Sequence, residues 1–253
     1  MGSVTTSTPF DLQQRMDHFY ATCSVGKSFH IYDCEKLHLK FLGPLFSSDI
    51  VSLLAYKDDT FCSLEDGSLV RCHRGREISR QQGMHVSKMF NCGSLLVMHH
   101  LEDNSVSIQD LLDNTTIWKK KFEFSISAVM HPDTYLDKIL VASTSGQMQL
   151  WNIRTDKLIY TFSMKKSITC IVQSPVVDVI AVGTTCGLIM MMNLRTDTLL
   201  FSFNQRSLVS TISFSTFEDE CHVATLSQQD GTIMIWDLEK RALKFTIKHQ
   251  EAS

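Results

Sequence analysis

Residues 151–162, "WNIRTDKLIYTF", return almost unchanged as residues 192–203, "MNLRTDTLLFSF". Asn152, Arg154, Thr155, Asp156, Leu158 and Phe162 recur as Asn193, Arg195, Thr196, Asp197, Leu199 and Phe203, every pair 41 positions apart. A fixed period of this length marks one supersecondary unit repeated and stacked, because a single unit cannot bury its own apolar face. Downstream, "WDLEKRALKFTI" begins at Trp236, 44 residues after Met192. Upstream, Gln109-Asp110 stand where Trp151-Asn152 fall one period later, and Tyr32-Asp33 open a further copy. Turn positions precede these runs at Gly26, Gly67, Asn104, Gly146, Gly187 and Gly231, at intervals of 41, 37, 42, 41 and 44 residues. Six units fit. The second, "LVRCHRGREI", has lost the aromatic-Asp pair.

Within a unit the pattern is β. "KILVASTSGQMQLWNIRTDKLIYTF" predicts strands over Ile139–Ser143, Met148–Asn152 and Lys157–Phe162, with Gly146 in one turn and Thr155-Asp156 in the next. Asp66-Gly67 and Asp230-Gly231 are strong hairpin signals, since such turns need positive φ. A further strand opens each unit, as in "SISAVMHP", "SITCIVQSP" and "LVSTISFS". Four short antiparallel strands per period make a propeller blade. The expected fold is an all-β propeller over 18–249, six recognisable blades of a seven-bladed ring that this stretch leaves incomplete. Residues 1–17 are expected as a flexible tail and 250–253 as a tail or truncation point. "FYATCSVGKSFHIYDC" has no clear opening strand before it, which predicts a first blade begun midway and a poorly closed ring prone to associate.

Composition narrows the function classes. The 253 residues are 43% hydrophobic and 20% charged, which suits one globular domain with an ample core. A net charge of −3 counts against a protein drawn chiefly to bulk phosphate. The eight cysteines show no C-x-x-C spacing and are expected as reduced, mostly buried thiols. The most apolar stretch, 171–183, is broken by Gln173, Ser174, Pro175 and Asp178, so no membrane contact is expected. "MGSVTT" matches a myristoylation pattern at Gly2, a short and frequently accidental one, and a free tail is the reading adopted.

"DGTIMIWDLEKRALKF" resembles the WD-repeat signature, with Asp230-Gly231 in the turn and Trp236-Asp237 closing the strand. "SGQMQLWNIRTDKLIYTF" resembles it with Trp151-Asn152, and the next unit keeps Asn193. Residues 131–162, "HPDTYLDKILVASTSGQMQLWNIRTDKLIYTF", with "SPVVDVIAVG" and the early "SVGKSFHIYDCEKLHLKF", are similar to the WD-repeat protein 36 family. That resemblance implies a non-catalytic scaffold of the nucleolar small-subunit processome in pre-ribosomal RNA processing. It implies other WD-repeat subunits, a small nucleolar RNA particle and pre-ribosomal RNA as partners, with no cofactor and no small-molecule substrate. It also implies a second propeller and a helical tail, which lie beyond "KFTIKHQEAS"; Lys248-His249 stands where a further blade would open. WD repeats link an inner His, a turn Asp and the strand Trp by hydrogen bonds. Asp230 and Trp236 are expected to keep half of that set, while Ser145 and Cys186 replace the Asp in two blades and leave those to packing. The fold alone leaves a generic protein-binding adaptor open, such as a ubiquitin-ligase substrate receptor or signalling scaffold.

Chemical sites are sparse. His99-His100 and Cys72-His73 are adjacent pairs on strands, pointing to opposite faces, and neither can chelate one ion. "HPD" at 131–133 reads as a turn. There is no phosphate loop, G-x-S-x-G elbow or His-x-x-x-His pair, so no catalytic role is expected. Two basic clusters remain as places for RNA phosphate: Arg71, Arg74 and Arg76, with Arg80 beside them, and Lys119, Lys120 and Lys121. Solvated surface is the competing reading for both.

Overall fold

A computed structural model describes residues 9–215 and 221–248. The described residues form 24 strands in six four-stranded antiparallel sheets, with no helix. The first sheet comprises β1 (Phe10–Arg15), β2 (His18–Val25), β3 (Ser28–Asp33) and β4 (His38–Leu42). The second holds β5 (Ile50–Tyr56), β6 (Asp59–Leu64), β7 (Leu69–His73) and β8 (Arg76–Gln81). The third holds β9 (Lys88–Cys92), β10 (Leu95–His100), β11 (Ser105–Asp110) and β12 (Thr116–Lys121). The fourth is β13 (Ile126–Met130), β14 (Lys138–Ser143), β15 (Gln147–Asn152) and β16 (Lys157–Ser163). β17 (Ile168–Gln173), β18 (Val179–Thr184), β19 (Leu188–Asn193) and β20 (Thr198–Asn204) make the fifth. The sixth comprises β21 (Thr211–Phe214), β22 (His222–Ser227), β23 (Thr232–Asp237) and β24 (Ala242–Lys248). These are the blades of a β-propeller.

The chain divides into two compact units, Met1–Lys121 and Phe122–Ser253, each with three blades. Within a unit the opening strands of successive blades lie together: β1 beside β5 and β5 beside β9, then β13 beside β17 and β17 beside β21. The closing strands lie outermost and are largely exposed, β24 along its whole length.

The core is the packing of one blade face on the next. In β18, Ile180 and Val182 join the fourth blade's Leu140, Met148 and Leu150. Their neighbours Val179 and Ala181 turn the other way and pack with Val223 and Trp236 of the sixth. Every residue of β18 is therefore buried, and the strand reads as an unbroken apolar run rather than an alternation. β6 does the same in the first unit, with Cys62 and Leu64 on the first-blade side and Phe61 on the third-blade side.

The repeated aromatic positions join neighbouring blades. Trp236 stacks on Phe203, centroids 4.8 Å apart, and Trp151 meets Phe122 edge-on at 6.1 Å. The equivalent Met192 shares a buried cluster with Phe162. Just before this position every blade has a register shift between its third and fourth strands, including the degraded second blade at Arg71/Cys72. A bulge of this kind bends the strand and re-aims the following side chain.

Three expectations about the blades need correction. The first blade does not begin midway: Phe10–Arg15 is a strand paired with β2 from Phe10↔Cys23 to Arg15↔His18. Most of the polar "FDLQQR" segment lies outside the pattern of an ordinary buried strand, because Phe10 and Leu12 stay exposed while Asp11 turns inward. Asp11 Oδ2 accepts a 2.8 Å hydrogen bond from the Ala55 amide of the second blade, so the strand is held by side-chain and backbone bonds. The Asp230–Trp236 link is also replaced. Trp236 Nε1 donates to Thr225 Oγ1 at 2.9 Å on the adjacent strand, and Asp230 Oδ1 accepts from the Thr232 amide. Residues 1–8, Gly2 among them, and 249–253 lie outside the described residues.

Ser145 and Cys186 do not leave their turns to packing alone. Ser143 Oγ accepts the amides of Ser145 and Gln147, and Thr184 Oγ1 accepts that of Leu188, so a hydroxyl two residues earlier takes over. The turn positions all have positive φ, from Gly26 at 56° to Gly146 at 92°, with Asn104 at 54°. At Gly146 the need is also steric, since a Cβ would stand 2.4 Å from the Lys166 carbonyl oxygen. At Gly26 nothing lies within 4 Å.

Two measurements check this packing. Trp236→Ala should cost roughly 3–5 kcal/mol, as other buried aromatic truncations do, seen as a lower urea midpoint; an unchanged midpoint would place the indole in solvent. Gly146→Ala and Gly26→Ala share a left-handed backbone cost of about 1–2 kcal/mol. The Gly146 variant should lose more, and equal losses would show that the close approach to Lys166 has no energetic weight.

Candidate interaction surfaces

The Asp or Asn of the repeat signature is a turn cap. Asn152 Oδ1 accepts the amides of Arg154 and Thr155, and Asn193 Oδ1 those of Arg195 and Thr196, all at 2.9–3.1 Å. Asp33 Oδ1 accepts from Glu35 and Lys36, Asp110 Oδ1 from Leu112, and Asp237 Oδ1 from Lys240. Asn and Asp serve equally because the job needs only an acceptor oxygen two or three residues upstream of the amides. The Lys36 and Lys240 amides hold the carboxyls of Asp33 and Asp237 below their ordinary range. The second blade lacks this cap and turns instead through Arg74 and Gly75, both at positive φ. Asp66, in its other hairpin, accepts from Ser68 and Ser47, which lower its carboxyl to about 2.

The first basic cluster divides. Arg71 is mostly buried: its Nε donates to Asp59 Oδ2 at 2.8 Å, its Nη1 to the Leu111 carbonyl, and its guanidinium lies over the Phe61 ring. Asp59 also meets His73 Nδ1 at 2.7 Å. Arg74 is exposed but donates twice to Asp58, at 2.7 and 3.0 Å, while Arg15 holds the other oxygen of the same carboxylate. Arg74, followed by Arg15, keeps the Asp58 carboxyl ionised below its ordinary range. Arg80 is tied to Glu77. Arg76 stands exposed on β8 with no carboxylate partner among the described residues. Charge spacing gave no sign of this division, since Asp58 and Asp59 come from the preceding hairpin.

The second cluster lies on β12, an outermost strand. Lys119 and Lys121 point to one side and Lys120 to the other, with Lys120 half-buried. Lys119 lies 3.8 Å from Asp103, and Lys121 has no carboxylate partner among the described residues.

Of the adjacent pairs, His99, His100 and Cys72 are buried within strands, while His73 is exposed. His100 bonds through Nδ1 to the Met84 carbonyl and through Nε2 to Ser107 Oγ, at 2.6 Å each. Burial, with Lys88 and His100 adding repulsion, lowers His99 to about 4. No group of three His, Cys, Asp or Glu among the described residues could hold a metal. Burial raises the Cys72 thiol to about 12 and that of Cys62 well above its ordinary value. None of the eight cysteines is in a disulfide, but the expectation of mostly buried thiols fails: only Cys62 and Cys72 are buried, Cys186 and Cys221 are exposed and the other four are half-buried. No helix among the described residues is long and apolar enough to cross a membrane.

The chain matches the family model "WDR36/Utp21 first beta-propeller" over residues 21–253. It is 32% identical to the Schizosaccharomyces pombe U3 small nucleolar RNA-associated protein 21 homolog over 96% of its length, and 34% identical to the Homo sapiens WD repeat-containing protein 36 over 89%. The Saccharomyces cerevisiae U3 small nucleolar RNA-associated protein 21 is 28% identical over 70%. The chain spans 28%, 26% and 20% of those three relatives, about a quarter of their length. Among solved structures, the computationally designed Ika8 protein aligns over 97% of this chain and 89% of its own, with a TM-score of 0.68 and 14% identity, a likeness of fold alone. Blade geometry, turn caps and sequence agree, and the chain belongs to the WDR36/Utp21 first beta-propeller family.

Proposed function

We propose that this propeller is part of a non-catalytic scaffold of the small-subunit processome, working in the nucleolus with other WD-repeat subunits, the U3 small nucleolar RNA particle and pre-ribosomal RNA. The observation that carries this reading is the family match across 21–253, joined to relatives named for association with U3 small nucleolar RNA. The physical logic is that stacked blades offer many exposed loops and outer strands. A shared platform raises the effective concentration of the partners it holds. Where RNA is touched, Arg76, Lys119 and Lys121 carry the phosphate contact, with Lys120 beside them, because Arg71 and Arg74 are engaged by Asp59 and Asp58.

Depletion of the native full-length protein should slow the early cleavages that release small-subunit ribosomal RNA and largely spare large-subunit RNA, read on precursor blots. The protein should sediment in a large particle and co-purify with U3 small nucleolar RNA. Normal precursor levels, together with a ubiquitinated substrate that accumulates or disappears, would favour an adaptor instead.

Replacing Arg76, Lys119 and Lys121 together with alanine should weaken single-stranded RNA binding at every sequence. Its logarithmic salt slope should fall by about two, as expected for three lost contacts at roughly 0.7 each. An unchanged slope would remove these residues from the RNA surface.

A further inference from the structure

A cleft in the first unit, between the first and second blades, is lined by Arg15, Tyr20, Lys40, Phe41, Asp58 and Arg74, with Ile31 also on its wall. Its cavity volume is about 190 Å³, and it opens to solvent. Three cations stand there against one carboxylate. Asp58 is shared by Arg15 at 2.6 Å and Arg74 at 2.7 Å. Lys40 makes no close ion pair among the described residues, although, after the Lys36 amide, its charge helps to lower the Asp33 carboxyl; its Nζ donates to the Tyr20 hydroxyl at 3.0 Å and lies 4.7 Å from the ring centroid. The Arg15 guanidinium lies 5.3 Å from the same centroid. Apart from these polar groups, the cleft is walled by the buried Ile31 and the half-buried Phe41.

We propose that this cleft binds a short acidic segment of a partner protein, in which Asp or Glu residues flank an apolar side chain. The excess of positive charge calls for an anionic ligand, and the apolar wall calls for a side chain that a bare phosphate chain does not have. RNA fits less well, because nucleobases need an open aromatic face to stack on, and Arg15 and Lys40 already occupy the surroundings of the Tyr20 ring. An incoming carboxylate would take the exposed Lys40 ammonium first, in place of its neutral Tyr20 acceptor, and Arg74 next. Asp58 holds both arginines at the cleft wall through charge-assisted bonds to its two oxygens.

The test uses the whole chain and a fluorescein-labelled hexapeptide, Glu-Asp-Leu-Phe-Asp-Glu, followed by anisotropy at an ionic strength on the order of 50 mM, where screening is modest. Saturable binding is expected. Lys40→Glu should weaken it about tenfold and Lys40→Gln severalfold, both with an unchanged melting temperature because Lys40 is exposed. Lys157→Glu, on an outermost strand of the second unit, should leave binding unchanged. The proposal fails if the hexapeptide does not bind saturably, or if Lys157→Glu weakens it as much as Lys40→Glu. It also fails if a ten-nucleotide oligouridine displaces the peptide and loses affinity to the same degree with Lys40→Glu, the signature of an RNA site.

Discussion

The structure depends on burying both faces of the middle strands of each blade. A four-stranded sheet of this length has too little apolar surface to stand alone, so each blade is stable only between its neighbours. In the fifth blade Ile180 and Val182 answer one neighbour and Val179 and Ala181 the other, one residue out of step along the same strand. The recurring third-strand position completes the arrangement, Trp151 against Phe122 and Trp236 against Phe203. The bulge before Trp236 turns its side chain towards the fifth blade, and a bulge at the same place survives in the second blade where the aromatic does not. Backbone geometry outlasts the residue that usually marks it.

Polar groups in this fold are tied locally. The Asp and Asn caps bond to amides two or three residues away, and Ser143 and Thr184 do similar work where the turn carboxylate is missing. Trp236 finds Thr225 on the neighbouring strand rather than a carboxylate in the turn. Each turn is therefore satisfied largely within its own blade, while Asp11 to Ala55, Arg15 to Asp58 and Arg71 to Leu111 are polar bonds from one blade to the next.

The first unit is where charge departs from a uniform solvated rim. Asp58 and Asp59 sit side by side in one hairpin and hold Arg15, Arg71, His73 and Arg74 between them. Arg71 becomes structural, packed over Phe61 and bonded across to the third blade, while Lys40 is left with a neutral phenol. The same run of basic residues thus yields a buried strut, a cleft wall and, at Arg76, an open cation.

The blade count, the turn positions and the identity of the capping residues were legible in the sequence, because all three are local. A 41-residue period, a residue that can adopt positive φ and an acceptor two positions before an amide are properties of short segments. The strand at Phe10–Arg15 was not legible, since its exposed Phe10 and Leu12 break the burial pattern and its partner amide at Ala55 is 44 residues away. Nor was the fate of the basic clusters. Whether an arginine meets solvent or a carboxylate depends on which hairpin the next blade brings beside it, and only the stacking of blades decides that.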